Sequence, residues 1–245
     1  MLPRKTKEPV EFILPRGSQL ALEFLIAQIA NRVGTRPPDR LILSCENNAS
    51  AHWDPRTGDV SLMIGMPLVH CLSVTQLAGI IAHECGHFRQ QAGGRIRFFM
   101  STILRWLQNV SRSLRLHQES FEAAASGKVN ILLYLFMMFA QLIMSLVRLV
   151  VDGLGKLGIV SVFLTMRRSE FHADQFEIAL CGSANFRETT LLTGEVAAAE
   201  VGARRQIKST SIAGRLPNDF PQLIGYCFKD LTDQARAVAR RAVLN

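Results

Sequence analysis

Apolar positions change their period several times along this 245-residue chain, and each change marks an element. Residues 1–16 are basic and punctuated by proline, with a short strand expected over Val10–Leu14. Leu20, Leu22, Phe24, Leu25, Ile26 and Ile29 then recur around more than one face of a helix. Ser18 is placed to cap that helix and Gly34 to end it after Val33, and Pro37-Pro38 closes the unit. Leu41–Cys45, Ala51–Trp53 and Val60–Ile64 read as strands, the last two joined by the turn residues 54–59. A further helix begins at Ser73, with Gln76 completing a capping box. Leu77, Ile80 and Ile81 form its core face, and Gly93-Gly94 is its expected stop.

The second half is dominated by apolar helix. Over 95–116, Phe98, Phe99, Ile103, Trp106, Leu107, Val110 and Leu114 face one way and Arg97, Arg105, Arg112 and Arg115 the other. This pattern suits a helix on an anionic lipid surface or an ordinary surface helix. Glu119–Lys128, with Ser126-Gly127, reads as a break. Val129–Val147 is a charge-free run of 19 residues, at the length needed to span a bilayer. The residues from Asp152 to Lys156 carry a turn signal, and a shorter apolar run, Leu157–Met166, leads into Arg167-Arg168. Residues 175–203 continue as helix, interrupted at Gly182 and Gly194. Leu216-Pro217 and Phe220-Pro221 read as loop, and Asp230–Val243 as an Arg-rich helix. The abrupt end at Asn245 reads as that of a piece of a longer chain.

Composition sharpens this picture in two respects. Net charge is +8 and 48% of residues are hydrophobic, and mean hydropathy is +0.16. A basic chain favours lipid headgroups or nucleic acid; with two Trp, two Tyr and no nucleic-acid motif, lipid is the expected partner and nucleic acid is not. The five cysteines are odd in number, scattered and without a C-x-x-C pair, as expected of free thiols in a reducing compartment. The opening residues carry no secretory signal.

The chemistry lies at His83-Glu84-Cys85-Gly86-His87. Two histidines four apart on a helix share a face and can reach one metal ion. Glu84, beside the first, can reach a water on that metal. From 6 His and 12 Glu in 245 residues, about 0.007 chance matches are expected, so the pattern is read as one zinc site per chain. Cys85 turns away from the pair as a packing residue. A catalytic zinc takes a third protein ligand and keeps one position for water. Glu170-Phe171-His172-Ala173-Asp174 offers two carboxylates four apart: Glu170 as a ligand, with Asp174 hydrogen-bonding a ligating histidine, or else a solvated acidic face.

The pair His83-Glu84-x-x-His87 and Glu170-x-x-Ala173-Asp174, with Asn48-Ala49 at a strand and apolar helices between the halves, resembles the HtpX and CAAX prenyl protease superfamily of membrane zinc endopeptidases. The resemblance covers roughly residues 40–182. It implies that His83, His87 and Glu170 hold the zinc, Glu84 is the general base, Asp174 braces a ligand, and Asn48 and Ala49 lie by the substrate. Two departures stand out. Ser50-Ala51-His52-Trp53 replaces the Gly-x-Gly often found after the family's Asn-Ala pair. No clear oxyanion element follows downstream, with Arg168, His172 and Arg215 as weak candidates.

The fold expected is α+β and predominantly helical: one metallopeptidase domain over 1–245, its zincin-like helix beside a small antiparallel sheet, with 95–166 as a membrane-associated insertion. The function expected is a zinc endopeptidase acting on proteins or peptides at or near a membrane, the substrate strand adding near Val60–Ile64. The rivals are a catalytically weak scaffold that retains a structural zinc and a hydrolase of non-peptide substrates. One zinc needs all its ligands on one side of a bilayer, so the chain between His87 and Glu170 crosses it zero or an even number of times. A hairpin turning at Asp152–Lys156 that dips into or lies against the membrane meets this best. Arg167-Arg168 places the site on the cytoplasmic side.

Overall fold

The computed structural model describes residues 11–54, 56–89, 102, 103, 105, 106, 109, 110, 131–212 and 216–244. They form four strands and, leaving aside the isolated described positions between 102 and 110, seven helices. The strands are β1 (Glu11–Leu14), β2 (Arg40–Ser44), β3 (Ala49–Trp53) and β4 (Val60–Gly65). The helices are α1 (Leu20–Val33), α2 (Met66–Cys71), α3 (Val74–Arg89), α4 (Ile131–Cys181), α5 (Ser183–Ile212), α6 (Phe220–Lys229) and α7 (Asp233–Leu244). The α+β, mostly helical class expected from the sequence is the class observed. The chain divides into two compact units, residues 1–90 with 171–245, and residues 91–170.

In the first unit the sheet order is β1-β2-β4-β3. The outer pairs are antiparallel, but β2 and β4 run parallel, so the sheet is mixed. Val60–Ile64 is therefore interior, paired on both sides, and β3 is an edge. Substrate addition at β4, as the sequence reading placed it, is ruled out by this pairing. Gly65 ends β4 where the chain crowds: a Cβ there would lie 2.0 Å from the Glu46 carbonyl oxygen and 2.6 Å from that of Asn48. Ile26, Ile29, Ala30, Val33, Leu62, Ile64, Ile81, Ala82 and Cys85 bury the α1, sheet and α3 faces in one core.

Local chemistry sets the element ends. Ser73 and Gln76 form the capping box in both directions, Ser73 N–H to Gln76 Oε1 at 2.9 Å and Gln76 N–H to Ser73 Oγ at 3.3 Å. Gly34 closes α1 in the left-handed region at φ 80°. Ser18 does not cap α1: its hydroxyl donates to Pro15 O, and the Glu23 carboxylate receives the Gly17 N–H. Gly194 does not interrupt α5. It is a point of close approach, where a Cβ would meet Val243 Cγ2 of α7 at 2.4 Å.

The loop expected around Phe220-Pro221 is instead α6. Asp219 caps it, accepting the Gln222 N–H at 2.9 Å, and Pro221 sits in its first turn, where its missing N–H costs nothing. Glu195, fully buried, anchors α7 to α5 by pairing with Arg236 and with Arg240 Nε at 2.5 Å.

In the second unit, α4 runs without a turn through Asp152–Lys156, so the expected hairpin does not reverse there. Asp152 pairs one turn back with Arg148 at 3.7 Å. Gly153 and Gly155 stay helical, at about 1 kcal/mol each. The Ser161 and Thr165 hydroxyls donate to carbonyls four residues earlier, at 2.9 and 2.8 Å, so they need no water. Leu132, Leu135, Phe136, Phe139, Leu142, Leu146, Leu149 and Phe163 are all exposed. Among the described residues, α4 is the one helix long and apolar enough to cross a membrane. The stop at Gly93-Gly94 and the break at 119–128 lie outside the described residues. The basic stretch 95–116 lies mostly outside them; its described positions are helical, with Trp106 exposed.

Candidate metal centre

The site is built on the stripes of α3. Leu77, Ala78, Ile81, Ala82, Cys85 and Phe88 turn toward the core and are buried. Gly79, His83 and Gly86, spaced by four and three residues, form a second stripe against the last turns of α4. Both glycines are required by that approach. A Cβ on Gly86 would lie 2.7 Å from the Phe176 ring and 3.2 Å from Ala173 Cα. One on Gly79 would lie 2.9 Å from Cys181 Sγ and 3.1 Å from Glu177 Oε1. Arg89 ties the end of α3 down, donating to Val33 O at 2.9 Å and lying over the Phe176 ring.

Glu84 and His87 share the neighbouring stripe. The His83 and His87 rings stand edge to face with centroids 4.9 Å apart. Ligand atoms of His83, Glu84 and His87 all lie within 4.8 Å of one another, so these three can hold a metal ion. The donor set fits zinc: two imidazoles with carboxylate, on a helix already fixed by packing. His83 Nδ1 lies 3.1 Å from Asp174 Oδ1 and 3.9 Å from Glu177 Oε2. A carboxylate on Nδ1 fixes the ring and leaves Nε2 to face a metal.

The sequence-predicted residues are thus placed as follows. His83, Glu84 and His87 come together, and Asp174 meets His83. Glu170 stands one helical turn before Asp174 in the unbroken α4, as an exposed residue of the other unit. Ala49 opens edge strand β3, paired with Ile64, and the Asn48 carbonyl accepts the Gly65 N–H at 2.8 Å. β3 packs against α3. His172 lies against Phe176, centroids 5.1 Å apart, and Arg215 lies outside the described residues.

Glu177 is the residue the sequence reading missed. Its signal was available: it follows Glu170 by seven residues and Asp174 by three, on one helical face. Burial, and then the charge of Asp174, raise its pKa to about 7. Cys85 is fully buried, and burial pushes its thiol up to about 12, with the charge of Glu84 adding to the rise. Thiolate chemistry is closed to it. Alkylation of the folded protein at pH 8 is expected to label exposed Cys45 and spare Cys85. Mass spectrometry showing Cys85 modified as fast as Cys45 would contradict that burial.

A family model, peptidase family M48, matches residues 22–194. No curated protein and no solved structure matches the chain.

Proposed function

The chain belongs to peptidase family M48, a family of zinc metallopeptidases, and from that premise we propose that it is a zinc-dependent endopeptidase cleaving proteins or peptides at or near a membrane. The observation that carries the reading is the grouping of His83, Glu84 and His87 with Asp174 behind His83. His83 and His87 would hold the ion, with Glu170 as third ligand and Asp174 fixing the His83 ring. A zinc ion bound there supplies Lewis acidity to the scissile carbonyl and acidifies a water. Glu84 takes the proton of the attacking water and hands it to the leaving amine.

Substrate is proposed to bind as an added strand on β3. It is an edge in a sheet whose other member beside it, β4, is already paired on both sides, and it packs on the helix that carries Glu84. Backbone pairing of this kind tolerates many sequences. Asn48 and Ala49, at its start, are the proposed first contacts.

The membrane belongs to the proposal through α4. Its apolar side chains are exposed on every face, which water penalises and lipid does not. From Ile131 to Met166 the apolar part is about 54 Å long at 1.5 Å per residue, well beyond a hydrocarbon core of about 30 Å. The Arg148–Asp152 pair and Lys156 would then sit at the headgroups, with one of the two apolar runs in the acyl region. Arg167 and Arg168 favour the cytoplasmic side.

The test is cleavage of an unfolded protein substrate by the purified chain in detergent or vesicles. Activity is expected to vanish on chelation and to return with one equivalent of zinc. Stoichiometric zinc without cleavage would instead favour the scaffold that keeps a structural zinc.

A further inference from the structure

We propose that Glu177 is a positioning residue for His83, a second carboxyl that acts with Asp174 on the outer nitrogen of the ring. The inference rests on the zinc reading above and deepens it. Its grounds are geometric. Glu177 is 6% exposed, in the tight contact between α3 and the end of α4. Its carboxyl occupies a notch left by the missing side chain of Gly79, where even a methyl group would lie 3.1 Å from Oε1 and 3.2 Å from Cγ. A position of that burial serving packing alone is best filled by an apolar residue, since a buried carboxyl loses its hydration.

What Glu177 faces there is His83 Nδ1, at 3.9 Å, beside Asp174 Oδ1 at 3.1 Å. The three ligand-type atoms lie within 4.8 Å of one another. Asp174 makes the short contact. Glu177, one turn further along the same helix, stands 3.9 Å from the same nitrogen and adds its field. Two acidic groups there raise the donor strength of the opposite nitrogen and limit rotation of the ring. Glu177 reaches no reacting atom and acts through His83.

A purely structural Glu177 and a positioning one predict opposite patterns. In Glu177→Leu the notch stays filled and the buried carboxyl is gone, so the thermal midpoint of the zinc-free chain is expected to hold or rise. Zinc affinity, read by competition with a chromophoric chelator, is expected to fall about tenfold. Glu177→Gln, which keeps the shape, is expected to lose about three- to tenfold, and more in an Asp174→Asn background, because the two carboxyls share one nitrogen. Zinc affinity within twofold of wild type in both Glu177 variants overturns the proposal, whatever the midpoints do. A His87→Ala variant that holds zinc as tightly as wild type overturns the zinc reading itself, and the positioning role with it.

Discussion

Glu84→Gln is expected to lower kcat/KM for a peptide substrate about a thousandfold while the chain still holds one zinc. Glutamine keeps the shape and the helical setting of Glu84 but cannot accept a proton. Glu84 follows His83 directly in α3 and shares a stripe with His87, with its carboxylate in the same ligand-atom group as both imidazoles. A water on a zinc held by the two imidazoles would be within its reach. A positioned base contributes about 10²–10⁴-fold, so a thousandfold loss corresponds to about 4 kcal/mol of transition-state stabilisation. The metal should stay, because two imidazoles and a third ligand outweigh one neighbouring carboxylate. Kinetics and metal analysis on one preparation decide it. A zinc-replete Gln variant within tenfold of wild type would remove Glu84 from the proton path and direct attention to another base.

The parts of this site legible in the sequence are the local ones. The capping box at Ser73 and Gln76, and the spacing of His83 and His87, need only a helix, and a helix is set by neighbours within a turn. Asp174 was legible for the same reason, as one turn beyond Glu170. The strand order was not, because the parallel pairing of β2 with β4 is made across sequence distance and leaves no local mark; it moves the sheet edge from β4 to β3. The turn signal at Asp152–Lys156 misled for a different reason. Gly153 and Gly155 disfavour a helix by only about 1 kcal/mol each, the apolar runs on both sides of them are helical, and Asp152 finds Arg148 only if the helix continues. At α6, the proline of Phe220-Pro221 by itself signals a loop; behind the Asp219 cap it sits in the first turn of a helix. For Glu177 the spacing to Glu170 and Asp174 marks a shared helical face, but its burial depends on Gly79 of another helix, where a missing side chain makes room for its carboxyl.

Glu170→Ala is expected to weaken zinc binding more than a hundredfold, beyond the roughly 10–100-fold loss expected for Asp174→Ala. Asp174 and Glu177 lie by His83 Nδ1, at 3.1 and 3.9 Å, and are read as bracing the ring. Glu84 is assigned to the proton. A catalytic zinc held by His83 and His87 alone lacks its third protein ligand, and Glu170, one turn before Asp174 in α4, is the carboxylate that the motif spacing supplies. Comparing the thermal midpoints of the zinc-free Glu170→Ala and wild-type chains separates lost ligation from lost folding. Titration of the apo chain with zinc against a competing chelator measures both variants on one scale. Equal affinity in wild type and Glu170→Ala would release the metal from the far side of the apolar excursion, and the requirement for an even number of crossings would go with it. A hundredfold loss would tie residues 87 and 170 to one side of the membrane by chemistry alone.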